Sequence, residues 1–449
     1  MNNKKNLFFI LLLFIISSCS FDDKTGIWDG NKKEKKRVSE LELEQRKVVD
    51  IVKVYSSDDF FSKEVSLNNN IVLTKAKNNT NWKMSSLNYQ NYLGNIYLSG
   101  IDNTDLKKKI GKNKFSLSKI MASPLIYNKY IFLSDDTGSI YKIANNGRVI
   151  WKKNIYKKIY KKIYKNLNFA IDNDKIYIVD NVGFIYVLSV NTGELIWLKN
   201  HGIPIKSNIK VFENKIYIIN QDNRVLCLSA DDGTKLWDIR SISSFIKSQN
   251  FLSLAFTNKK NIIFMNTSGD IVKVKADTGD VYWTLNTSDS ILADATDFFK
   301  SSEIVIDSNN IIFSSGSSLF SLNLEDATTN WELKLSSIGA PIIDKNYIFV
   351  VTRKGYFVIV DKKVGKIISS NNILKILKKK KRKTEITGFI MGSNKIYSVT
   401  ENGFLIVSSA ASGKVEQFKK IGDQIISKPI ISDGKLYILS RNSKLIRLN

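Results

Sequence analysis

Two cysteines, four prolines and one histidine are all that a chain of 449 residues holds of these types. A zinc site needs several Cys or His ligands, so a Cys cluster and a histidine-rich metal site are both excluded, His201 standing alone. Cys19 and Cys227 cannot form a vicinal pair, and no G-x-S-x-G elbow or P-loop occurs. Acid is scarce as well: 42 Asp and Glu stand against 68 Lys and Arg, a formal net charge of +26. The apolar run from Leu7 to Ile16 is too short to span a bilayer as a permanent helix.

What is present is a recurring turn that ends in glycine and leads, three residues later, to tryptophan. It stands as NNGRVIW at Trp151, NTGELIW at Trp197, DDGTKLW at Trp237 and DTGDVYW at Trp283, with a glycine-less form, DATTNW, at Trp331. The tryptophans follow one another at 46, 40, 46 and 48 residues. A period of this size marks a repeat architecture in which each unit buries its face against the next.

A second pattern gives the number of units. A polar turn followed by an alternating apolar strand recurs eight times, from DDTGSIYKI at 135–143 to SRNSKLIRL at 440–448. Gly occupies the turn in five copies, and Asn223, Ser317 and Ser443 in the others, residue types that hairpin turns select. With a β-rich run before each turn and, in most units, another before that, each unit reads as four antiparallel strands. The fold expected is all-β, an eight-bladed propeller of four-stranded blades. Trp151, Trp197, Trp237, Trp283 and Trp331 are expected to pack blade on blade, while Ser369 and Gln417–Phe418 stand in that slot in two degenerate units.

The eighth unit stops at Asn449, one strand short. A closing strand from the N-terminal side leaves no open sheet edge, and VLTKAKNNTNWKM, around Ile71 to Met84 with Trp82 in the tryptophan slot, is the segment expected to supply it. The propeller is therefore bounded at 70–449.

Ahead of it, Lys4 and Lys5, the apolar run and Ser17-Ser18-Cys19 read as a signal peptide over residues 1–18. The tetrad Ile16 to Cys19 resembles the bacterial lipobox, which makes Cys19 the lipidated residue, acyl chains such as palmitate holding the chain to a membrane. Ser20 after the cysteine, by resemblance to bacterial lipoproteins, directs it to the outer membrane, facing the periplasm. Residues 19–69 read as a tether, with a helix possible in KEKKRVSELELEQRKVVDIVKVY, 33–55. Cys227 reads as a buried apolar side chain.

The excess positive charge belongs to nucleic-acid or membrane-surface proteins, and the lipoprotein signal removes nucleic acid as a partner. A codon bias toward Lys, Asn and Ile accounts for much of it. Two clusters remain: KKNIYKKIYKKIYK at 152–165, read as a solvated loop or a membrane-surface helix, and LKKKKRK at 377–383.

The Thr-Gly turns before Trp197 and Trp283 resemble those of propellers built from pyrroloquinoline-quinone-type repeats. With the lipobox and eight units, the chain is similar to the BamB-like family, lipoprotein subunits of the outer-membrane β-barrel assembly (BAM) machinery. That resemblance implies a scaffold with no cofactor and no catalysis, binding the periplasmic POTRA domains of BamA and, with other BAM subunits, assisting unfolded outer-membrane proteins. It implies contact loops at Ser241 to Asn250, where Phe245, Ile246 and Lys247 stand, and at Ser288 to Lys300, with Asp294, Asp297, Phe298 and Phe299. Phe298 and Phe299 read equally as interface anchors or as the start of the next core strand. The alternatives are a quinone-dependent dehydrogenase, which the missing vicinal cysteines and calcium ligands disfavour, and a propeller for another envelope partner. A WD-type propeller rests only on Trp237-Asp238.

Overall fold

The computed structural model describes residues 32–51, 61–67, 71–115, 121–241, 252–258, 260–267, 269–287, 301–378 and 384–449. Eight separate four-stranded antiparallel sheets make the ring, each in the order first, second, third, fourth strand. They are blades 1 (125–153), 2 (167–200), 3 (210–240), 4 (254–286), 5 (305–333), 6 (342–372), 7 (386–420) and 8 (430–448 with 104–109). First strands line the axis and fourth strands form the outer rim. One face carries the turns within the first and last strand pairs of each blade; the other carries the middle turns and the connections between blades.

The middle turns form where a polar side chain precedes them. Asp180 accepts from the backbone N–H groups of Val182, Gly183 and Phe184 at 2.8–2.9 Å, a local bond that competes with continuing the strand. Asn223 and Ser443 adopt the left-handed backbone expected of them, with φ of 59° and 52°. In blade 5 the left-handed residue is Gly316 (φ 58°), not Ser317, because the strands there join through a two-residue turn between Ser315 and Ser318.

The glycine–tryptophan phrase is an interblade joint. A Cβ on Gly193, whose φ is 73°, would lie 2.7 Å from the indole of Trp151 in the preceding blade, so the turn needs glycine for both backbone and space. The indole Nε1 of Trp151, Trp197, Trp237 and Trp331 donates to the carbonyls of Val190, Ala230, Ala276 and Lys362 in the next blade at 2.9–3.1 Å. Trp283 is different. Blade 5 has Ala327 in place of glycine, Trp283 Nε1 has no hydrogen-bond partner, and Lys273, its neighbour on the third strand, donates instead to Leu324 O at 2.9 Å. Where Ser369 replaces tryptophan, Asn371 Nδ2 donates to Gly413 O at 2.9 Å.

An N-terminal strand does close blade 8, but it is Thr104–Lys109, paired antiparallel with Lys444–Leu448. The expectation that Ile71 to Met84 would close it is corrected. Leu106, opposite Arg447, fills the tryptophan slot and packs on Gly147 of blade 1. Trp82 is buried elsewhere, bridged to Ile126 on the innermost strand of blade 1. The closing strand contains no tryptophan, so the repeat pattern does not mark it.

The segment expected to be a tether is docked at two places. The helix Lys32–Ile51 buries Val38 and Leu41 in a hydrophobic cluster that also holds residues of blades 1, 2, 7 and 8, and Arg37 donates to Val182 O and Gly202 O. Residues 61–67 run along the rim of blade 6, where Val65 and Ser370 exchange backbone hydrogen bonds at 2.9 Å. The basic stretch 152–165 is neither a free loop nor an amphipathic helix. It forms one 3-10 turn, Lys158–Tyr160, and buries Tyr160, Ile163, Tyr164 and Lys165.

Candidate functional site

The axis is where the eight innermost strands converge, and the chain closes one end of it with its own residues. Segment 71–103 crosses the face of the first-strand turns and bonds to every blade. Trp82 pairs with Ile126 of blade 1, Lys83 O accepts from Ile171 of blade 2, and Tyr89 hydroxyl donates to Val211 O of blade 3. Tyr89 O and Gln90 O accept from Phe256 of blade 4 and Ile306 of blade 5. Thr74 donates to Asp344 of blade 6, Ile96 pairs with Gly392 of blade 7, and Asn79 O accepts from Asp433 of blade 8. This cap carries no repeat pattern, yet it satisfies strand-end groups that the ring leaves open.

Behind the cap lies a cavity lined by Trp82, Asn168, Phe169, Glu303, Phe389 and Lys428, among others. Glu303 from the blade 4–5 connection forms an ion pair across it with Lys428 of the blade 7–8 connection. Burial opposes ionisation of Glu303, but the Lys428 ammonium prevails and holds the carboxyl below its ordinary range. Away from the cavity lining, buried Lys210 donates to two residues of the cap, to Asn88 O at 2.6 Å and to Asn91 Oδ1 at 2.7 Å. Burial pushes its ammonium down to about 7, against the pull of Glu303. Asn91 in turn donates to Leu254 O and Ile304 O at 3.2 and 2.8 Å, so one amide ties the cap to blade 4 and to the connection that leads into blade 5.

Of the residues singled out in the sequence, Cys19, Phe245, Ile246, Lys247, Asp294, Asp297, Phe298 and Phe299 lie outside the described residues, as does most of 377–383. The fourth strands of blades 3, 4 and 6, after which all of these but Cys19 follow in the chain, end on the face opposite the cap. Cys227 sits in the third strand of blade 3 opposite Trp237, its thiol pushed up to about 11 by burial. His201 packs in the blade 2–3 connection, its backbone N–H bonded to Gly183 O at 2.8 Å. Lys210, Glu303, Lys428 and Asn91 escaped sequence reasoning, for no motif marks them.

A family model described as outer membrane protein assembly factor BamB matches residues 112–371, from the approach to blade 1 to the end of blade 6. The chain belongs to the BamB family. An outer membrane protein assembly factor BamB of Moranella endobia is 18% identical over 358 residues, 74% of this chain and 83% of that one. An uncharacterised protein of Rickettsia conorii is 23% identical over 269 residues, 57% of this chain, and the match spans 64% of that relative, less than two thirds of its length. The structure of BamB from Moraxella catarrhalis superimposes with a TM-score of 0.60 at 12% identity, covering 76% of this chain and 99% of that one. A europium-containing methanol dehydrogenase does so at 0.62 and 13% identity, covering 80% and 89%. At these identities the two structures are alike in fold alone.

Quinone-bearing dehydrogenases share this fold, but the residues of this BamB-family chain do not fit such a group. Cys227 lies off the axis with no vicinal partner, and the Glu303 carboxylate is committed to Lys428. Among the described residues no group of three or more His, Cys, Asp or Glu is placed to hold a metal ion.

Proposed function

We propose that this chain is a non-catalytic lipoprotein scaffold of the outer-membrane β-barrel assembly complex. It is lipidated at Cys19, faces the periplasm from the outer membrane, binds the POTRA domains of BamA, and assists insertion of unfolded barrel proteins. The observation that carries this reading is the BamB family match across 112–371. The closed axis supports it. A ring whose cap bonds to all eight blades, and whose cavity is crossed by an ion pair, is built for rigidity, and a rigid ring presents its interblade loops at fixed positions to a partner. The contact surface assigned to BamA is the pair of connections after blades 3 and 4, carrying Phe245, Ile246 and Lys247 and then Asp294, Asp297, Phe298 and Phe299.

The test is affinity capture of the tagged, lipidated chain from detergent-solubilised envelopes, with partners identified by mass spectrometry. BamA is expected, and is expected to be lost from Phe298→Ser/Phe299→Ser in a protein that still folds. Absence of BamA under conditions that keep the complex intact overturns the assignment.

A further inference from the structure

The strongest unassigned feature is the basic loop between blades 1 and 2. It contains no acidic residue from Trp151 to Leu167, and Lys158, Lys161 and Lys162 are all exposed. The loop is held firmly from below. Tyr156 hydroxyl bonds to Asp180, Tyr160 meets Phe184 edge-on with ring centroids 5.2 Å apart, and Ile163 is fully buried. The tyrosines point inward and the lysines outward, so the charge stands on a fixed platform.

Neighbouring elements extend it. Lys114, from the connection between blades 8 and 1, donates to Lys161 O at 2.7 Å, and Lys112 beside it is exposed. Helix Lys32–Ile51 meets the loop through Glu34 and the Tyr160 hydroxyl, which brings exposed Lys35 and Lys36 to the same face. The acids nearby are engaged: Glu34 pairs with Arg37, and Asp135 and Asp136 are buried and accept backbone N–H groups from Lys112 and Phe115. Among the described residues no carboxylate forms an ion pair with Lys112, Lys114, Lys158, Lys161 or Lys162. At the apex, between Lys158 and Lys161, stands Ile159, 41% exposed.

We propose that this platform, centred on Lys158, Ile159, Lys161 and Lys162, docks on an anionic phospholipid surface, lysines at the headgroups and Ile159 in the acyl boundary. Lysine without arginine suits a diffuse anionic surface better than bidentate recognition of one phosphate or carboxylate. A protruding aliphatic side chain ringed by lysines is the composition of an interfacial contact. A single-stranded nucleic acid would call for exposed aromatic rings, and Tyr160 and Tyr164 are buried. The chain also enters the ring beside the platform, so a membrane-held N-terminus brings this face to the lipid. That last point alone rests on the proposed anchor.

The test uses the chain from Ser20 onward, which keeps every described residue and carries no acyl group, in co-sedimentation with vesicles. Binding is expected to phosphatidylcholine vesicles containing phosphatidylglycerol, not to phosphatidylcholine alone, and to fall as salt rises. At about fivefold per lysine, Lys158→Gln/Lys161→Gln/Lys162→Gln is expected to lose roughly a hundredfold in affinity. Ile159→Asp should weaken binding at unchanged charge on the lysines. Lys129→Gln/Lys345→Gln/Lys363→Gln, exposed on the cap face, should leave it unchanged. Equal loss in both triple variants, or binding to a DNA duplex with none to vesicles, overturns the proposal. Because BamA capture is measured separately, failure here leaves the assembly role standing.

Discussion

At the scale of the residue, the interblade joint is one hydrogen bond and one close approach, and its variants reveal what each part contributes. Trp197 donates to Ala230 O, whereas Trp283 Nε1 is buried with no partner and Lys273 serves the equivalent carbonyl. Replacing Trp197 by Phe strands a buried carbonyl and should cost about 2 kcal/mol. The same change at Trp283 removes no bond and should cost less than about 1 kcal/mol. Urea unfolding midpoints of the two variants check the difference; equal losses would mean the indole bond contributes nothing. Substitution of the joint follows the same chemistry elsewhere: Asn371 supplies a donor where Ser369 has replaced the ring. All five interior tryptophans were legible in the sequence because they recur with the turn. Lys273 and Asn371 were not, because a donor on a neighbouring position or strand leaves no periodic trace.

At the scale of the element, the outer strands are the ring's vulnerable edges. Each of the first seven blades skips one residue of its fourth strand where it pairs with the third, and in blades 1 to 4 the skipped residue is exposed and apolar: Ile150, Ile196, Leu236 and Tyr282. A bulge at an edge interrupts the ladder another strand would need. Blade 6 is in addition covered by the chain itself, through Val65 and Ser370. The closing strand Thr104–Lys109 decides whether blade 8 has an edge at all. Its buried Leu106 packs on Gly147, so Leu106→Asp should cost at least about 3 kcal/mol by burying a charge without a partner. Amide exchange should accelerate first in 430–448, the blade it completes. Uniform acceleration around the ring would instead mean that closure is not local.

At the scale of the whole molecule, the cap makes eight nearest-neighbour blades into one body. Lys210 reports on that union, since its ammonium bonds to Asn88 and Asn91 of the cap. Burial lowers it to about 7 from 10.5. Between these values the folded chain binds fewer protons than the unfolded chain, so stability rises with pH and sits at its lower plateau below pH 7. Lys210→Met should flatten that slope by up to one proton, about 1.4 kcal/mol per pH unit. Urea midpoints across the alkaline range measure it, and an unchanged slope would place the titration elsewhere. Buried Lys165, lowered to about 8, supplies part of what remains.

The amino-acid sequence by itself determined the number of blades, the four strands of each and the tryptophan joints, because a repeat writes the same local solution many times over. It marked an N-terminal closing strand as necessary, since an open edge would remain without one. Which strand closes the ring, how 71–103 crosses the axis, and where the helix and the basic loop dock were decided only by tertiary structure. Those contacts join residues hundreds of positions apart, as Asn79 to Asp433 or Val65 to Ser370. Each occurs once, and depends on shape and unpaired backbone groups that exist only after the ring has formed. Trp82 marks that boundary: its residue type announced a blade joint, and its place in the folded chain made it part of the cap.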